Sequence, residues 1–190
     1  MVGCNLKTDL DTQRQYLAAM EIPVWVRREP AQPLANQPED TSPQRREVQK
    51  MDWELLRETV ATCRLCELCR TRKQTVFGVG DRAADCLIVG EAPGAEEDRL
   101  GDPFVGRAGQ LLNSMLRAIG LVREQVYIAN ILKCRPPGNR DPRSEEMASC
   151  EPYLLRQIEL LQPKVIVAAG RIAAQSLLRS TTPIGRLRGR

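Results

Sequence analysis

Histidine does not occur in this 190-residue chain. Its absence excludes Ser-His-Asp and Cys-His nucleophile pairs, the zinc-protease helix and the Cys₂His₂ finger. It also removes the usual side chain for acid–base work near neutral pH. Any chemistry must rest on carboxylates, amides, arginines, backbone groups or a thiolate-bound metal. Aromatic residues make up only 4% of the chain, so each ring is worth placing: Tyr16, Trp25, Trp53, Phe77, Phe104, Tyr127 and Tyr153. No apolar run approaches the ~18 residues of a membrane span. The first residues are polar and soon acidic, unlike a secretory signal. The expectation is a soluble, cytoplasmic monomer with no membrane partner.

What is present fits a globular protein: 42% hydrophobic and 27% charged residues, in a length that gives one core plus extra chain. The net charge of +4 is uneven. Residues 171–190 hold five arginines and no acid, leaving −1 for residues 1–170. Such a basic end can meet a polyanion, or can be a solvated terminus.

Residues 1–50 read as a flexible tail and linker. Pro30, Pro33, Pro38 and Pro43 punctuate a polar stretch from Glu29 to Gln49. The apolar island at residues 16–26 can be a small helix on its own domain or a peptide that docks on a protein partner. The folded domain is expected over residues 51–190. Asp52 can cap a helix through Trp53, Leu55, Leu56 and Val60. Three short apolar runs, at residues 86–90, 126–132 and 164–170, read as buried strands. Helices separate them. Ala108, Leu111, Leu112, Met115, Leu116 and Ile119 follow helical spacing and end at Gly120. Ser144 opens another helix with Glu145 and Glu146 at its positive end, and Pro152 is expected to interrupt or restart it. Alternating strands and helices predict an α/β domain, helices covering both faces of a short parallel sheet. Ligands in such folds sit beyond the carboxyl ends of the strands.

Seven cysteines, an odd number, argue against a disulfide framework and for metal binding. Cys63-x₂-Cys66 can chelate, and Cys134 and Cys150 supply two more thiolates. Four thiolates suit a [4Fe–4S] cluster or a Cys₄ zinc, which spacing does not separate. Cys69 extends the first pair, so a choice among three thiols is needed there. Cys86 reads as a core residue and Cys4 as a free thiol in the tail. Arg64, Arg70, Arg72 and Lys73 surround the pair; they can compensate thiolate charge or face a phosphate backbone.

After the first strand come Gly90-Glu91-Ala92-Pro93-Gly94 and the acids Glu96, Glu97 and Asp98. This is not a phosphate-binding loop, since it lacks the Gly-Lys-Ser/Thr ending. Glu91 is placed to hold or activate a water; the bland alternative is an acidic surface turn. Phe104 lies between Gly101 and Gly106 ahead of a helix, where a ring can stack on a flat ligand or simply join the core. Asn130 ends the second strand, and its amide can donate and accept together, or merely cap the strand.

Together these segments resemble the type-4 uracil-DNA glycosylases, the iron–sulfur branch of the uracil-DNA glycosylase superfamily. The resemblance rests on Cys63 and Cys66 ahead of Val76-Phe77-Gly78, on residues 90–98, 103–113 and 127–142, and on Cys150, and it covers residues 52–190. It implies a [4Fe–4S] cluster on Cys63, Cys66, Cys134 and Cys150, with Cys69 left out. It implies a uracil site made by Gly90, Glu91, Ala92, Phe104 and Asn130. Glu91 would handle the catalytic water, Phe104 would stack on the base, Asn130 would read it, and Asn139 would stand near the reacting sugar. The implied reaction is hydrolysis of the deoxyuridine N-glycosidic bond in single- or double-stranded DNA, releasing uracil and leaving an abasic site. The family also carries a fourth parallel strand and a His-Pro motif, and neither is found here. The chain is therefore expected to be truncated at its C-terminus, with three strands present and reduced activity. Two other readings stand beside the enzyme: a non-catalytic iron–sulfur or zinc DNA-binding module, and a redox carrier.

Overall fold

The computed structural model describes residues 43–187. The apolar island at residues 16–26 and Cys4 lie outside the described residues. The described residues open with helix α1 (Pro43–Val48), inside the stretch read as linker. Val48 is buried with Leu56, Val60, Phe77 and Tyr153, so this apolar residue anchors a helix that composition alone hides. Helix α2 (Trp53–Thr62) starts where Asp52 accepts the Leu55 N–H at 2.9 Å.

The sheet has four strands in the order β1-β3-β2-β4. Strands β2 (Cys86–Gly90), β3 (Tyr127–Asn130) and β4 (Val165–Ala168) are parallel, as the three apolar runs predict. Strand β1 (Val79–Gly80) is antiparallel to β3 and was not expected, because two residues leave no periodic signal. Leu87, Val89, Tyr127 and Ala129 face helix α5 (Ser144–Leu161) and helix α6 (Arg171–Leu177). Ile88 and Ile128 face helix α4 (Arg107–Ala118) through Leu112 and Leu116. The result is a three-layer α/β/α domain, as the strand–helix alternation predicts.

Three local readings differ. On α4 only Leu112 and Leu116 turn inward; Leu111, Met115 and Ile119 are 58–71% exposed, because one helix against one sheet face buries a narrower stripe than the apolar spacing offers. Pro152 does not interrupt α5, which runs unbroken through it. A proline removes one helical hydrogen bond, but buried Cys150, Tyr153, Leu154 and Gln157 hold the helix on both sides. Strand β4 reads as buried, yet Val165, Ile166 and Val167 are 40–55% exposed at the sheet edge. Two short helices complete the chain, α3 (Ala95–Leu100) after β2 and α7 (Ile184–Leu187) at the end of the described residues. Among those residues no helix is long and apolar enough to cross a membrane.

Candidate functional site

The parallel pairing of β2 and β3 sets Gly90 opposite Asn130, so both strands end at one place. The chain leaves together as well: Ile131 N–H donates to Gly90 O and Leu132 N–H to Glu91 O. A cavity of about 290 Å³ opens beyond these ends, lined by Glu91, Ala92, Gly94, Glu97, Phe104, Ala108, Asn130 and Ala169. Gly90 packs against two of these lining residues: a Cβ there would fall 2.6 Å from Phe104 Cε2 and closer still to Asn130 Oδ1. A larger cavity, about 460 Å³, lies between α5 and α6. Its arginines are already matched, Arg171 to Asp141 and Arg179 to Glu151, and no strand ends in it. The smaller cavity is therefore the candidate site.

Asn130 is only 2% exposed, and among the described residues its side-chain amide has no hydrogen bond. A buried amide left uncommitted beside a cavity is suited to a ligand with both a donor and an acceptor. Its backbone carbonyl is occupied: Lys133 Nζ donates to it at 3.0 Å and to Gln157 Oε1 at 2.6 Å. Gln157 in turn donates to Phe77 O at 3.0 Å. Burial lowers the Lys133 pKa to about 8, against the opposing influence of Cys150 and Cys134. This lysine sits among apolar residues in the sequence, and no local pattern marks it as buried.

Glu91 follows β2 directly. Burial raises its pKa, Asp141 adds to the rise and Arg171 opposes it. Phe104 takes φ +54°, an uncommon conformation for a bulky residue. Gly109 makes this achievable, since any Cβ there would collide with the Phe104 carbonyl. Glu97 braces the two loops. Its carboxylate accepts the N–H groups of Gly94 (3.1 Å), Val105 and Gly106 (both 3.0 Å). Burial raises its pKa, but the hydrogen bonds from Gly106, Val105 and Gly94 outweigh that and leave it lowered. The acidic run at residues 96–98 thus faces inward in part: Asp98 is buried and accepts the Lys73 N–H at 2.9 Å. The Gly94-x-x-Glu97 spacing of a helix start was the available signal. Asn139 does not line the cavity. It sits on an exposed turn at φ +55°, where Oδ1 accepts from Arg135 Nε at 2.7 Å.

The thiols gather below the β3 end. Cys66, Cys134 and Cys150 pack around Leu68 and Leu132, while Cys63 ends α2 and lies against the neighbouring cluster. Two of the sulfurs accept a side-chain hydrogen bond. Arg72 Nη1 lies 2.9 Å from Cys134 Sγ and Tyr153 OH 3.4 Å from Cys63 Sγ; the backbone of Lys133 and of Leu68 eases the rise in pKa at Cys150 and Cys66. Burial pushes the Cys134 pKa up to about 11, with Arg72 opposing, and that of Cys150 up to about 12. Buried thiols with donors on sulfur suit thiolate ligation, in which a cation offsets the burial cost. As they stand, no three or more His, Cys, Asp or Glu among the described residues form a group able to hold a metal ion. Cys69 lies in the turn Glu67–Arg70, with no donor aimed at its sulfur among the described residues.

The family model of the Uracil DNA glycosylase superfamily matches residues 77–189. The type-4 uracil-DNA glycosylase of Archaeoglobus fulgidus is 50% identical over 141 residues, 72% of this chain and 70% of that protein. The type-4 uracil-DNA glycosylase of Pyrobaculum aerophilum is 45% identical over 144 residues, 74% of each chain. The type-5 uracil-DNA glycosylase of Thermus thermophilus is 33% identical over 160 residues, covering 67% of this chain and 73% of that protein.

Proposed function

This chain belongs to the Uracil DNA glycosylase superfamily, and we propose that it excises uracil from DNA as a type-4 enzyme. Water adds across the bond between the sugar C1′ and uracil N1: the sugar gains the hydroxyl, the base gains the proton, and an abasic site remains. The base must leave the helical stack to be reached, so the substrate is a flipped or single-stranded deoxyuridine.

The observation that carries this reading is the convergence of Glu91, Phe104 and Asn130 on one small cavity at the ends of β2 and β3, with Gly90 leaving room for the last two. Uracil offers an N3–H donor beside an O4 acceptor. The Asn130 amide can accept from the first and donate to the second. Cytosine offers the reverse pattern and would leave both amide groups unpaired in a dry site, which is heavily penalised. Phe104 is assigned to stack on the base, and Glu91 to hold the attacking water. Bond breaking leaves negative charge on uracil. Within the cavity the Asn130 Nδ2–H is the donor suited to meet it. Asn139, on its exposed turn, is assigned to the sugar side of the bound nucleotide.

The cofactor in this reading is a [4Fe–4S] cluster on Cys63, Cys66, Cys134 and Cys150. When bound it supplies a structural cross-link among α2, the β3 exit and α5, and no electron transfer. The basic residues Lys73, Arg135 and Arg143 would meet the phosphate backbone.

The test is an oligonucleotide carrying one deoxyuridine, followed by alkaline cleavage at abasic sites. The expected result is a single cut at that position, none with cytosine or thymine there, and strong loss in Asn130→Ala and Phe104→Ala. An intact uracil strand despite DNA binding would replace this reading with a non-catalytic binding module.

A further inference from the structure

We propose that Arg123, outside every segment that resembles the family's site motifs, is the positioning residue for Phe104. The inference rests on the reading of Phe104 as the ring that stacks on the base. Arg123 opens a short turn just before β3. Its Nη1 donates to Phe104 O at 3.2 Å, and its Nη2 donates to Pro103 O. One guanidinium fork thus holds two consecutive carbonyls of a turn that is left-handed at Phe104. On the other side Glu97 holds the next two N–H groups, those of Val105 and Gly106. Four consecutive residues are therefore fixed by one cation and one anion, each from a different part of the chain.

A bulky residue at positive φ persists only where its surroundings over-determine it. Here the conformation aims the ring at Gly90, beside the Asn130 amide. Released from Arg123, Phe104 would relax to an ordinary negative φ and the ring would leave the cavity wall. Arg123 is not among the residues that line the cavity, so it acts through Phe104 and not on the substrate.

A double-mutant cycle tests this with Arg123→Gln, Phe104→Ala and the pair. Expected is a loss of about ten-fold or more in kcat/KM for Arg123→Gln, but less than about two-fold when Phe104 is already alanine. Arg123→Lys, able to hold one carbonyl, should recover part of the loss. Losses that multiply, or no loss in Arg123→Gln, would overturn the proposal. Amide exchange supplies a readout independent of activity. In Arg123→Gln, Val105 and Gly106 should exchange about ten-fold faster or more while Ile128 stays protected. If the parent chain excises no uracil, the functional reading fails on its own, and unchanged exchange at Val105 and Gly106 would then sink the Arg123 role separately.

Discussion

Gly90 and Asn130 are register partners across β2 and β3, and the space a side chain at Gly90 would need is held by the Asn130 amide oxygen. Gly90 is thus required for room, since its φ is not positive. Gly90→Ala should drive Asn130 and Phe104 apart and cost about 100-fold or more in uracil excision. The stability loss should stay near the ~1–3 kcal/mol of local overpacking. Single-turnover rates with thermal unfolding in parallel separate the two effects.

Glu91 sets an expectation for pH. Burial, reinforced by Asp141, raises its pKa, and Arg171 opposes. If the ionised form holds the water, excision should fall as pH drops through a pKa above the ordinary carboxylate range. Asp141→Asn should move that limb to lower pH and Arg171→Gln to higher pH. The linkage runs the same way: a carboxyl with a raised folded pKa opposes folding once ionised. Glu91→Gln should therefore remove the limb without lowering the melting temperature at neutral pH. A limb at the ordinary carboxylate position, or one that survives Glu91→Gln, would assign the titration elsewhere.

The thiols differ in their surroundings, so their substitutions should differ too. Cys134→Ser and Cys150→Ser should lose bound iron and the broad absorbance near ~400 nm. Cys69→Ser should keep both, because Cys69 lies outside the cluster in which Cys66, Cys134 and Cys150 pack together. Iron analysis and absorbance of the purified variants decide this. Zinc in place of iron would exclude the cluster.

Strand β4 presents Val165, Ile166 and Val167 at a sheet edge, and among the described residues no strand pairs with its outer side. Exposed apolar edges pair with other chains. Sedimentation velocity should show self-association that grows with concentration in this 190-residue chain. Val165→Lys or Val167→Lys should reduce it, while excision per molecule stays unchanged. A chain that remains monomeric at high concentration would refute this expectation.

Much of the site was legible in the sequence because its signals are local. Three apolar runs, at residues 86–90, 126–132 and 164–170, mark strands whose carboxyl ends border the candidate cavity. The C-x₂-C spacing and the distant Cys134 and Cys150 mark a thiolate set. Phe104 stands out because rings are scarce and glycines flank it. Pairing of strands brings these segments together by a rule that depends on pattern and not on particular side chains.

Other features rest on contacts between segments far apart in sequence, which leave no periodicity. Arg123 reaches back to Phe104, Lys133 meets Gln157 across a buried layer, and Glu97 turns inward to hold another loop. The partition of α4 into buried Leu112 and Leu116 and exposed Leu111, Met115 and Ile119 depends on how one helix lies on one sheet face. Pro152 stays helical because tertiary burial outweighs one lost hydrogen bond. The sequence by itself determined the three parallel strands and marked the residues that the proposed function assigns to the site. Only the tertiary structure decided how Phe104 is held, because a backbone conformation that is locally unfavourable exists only where distant charges fix it.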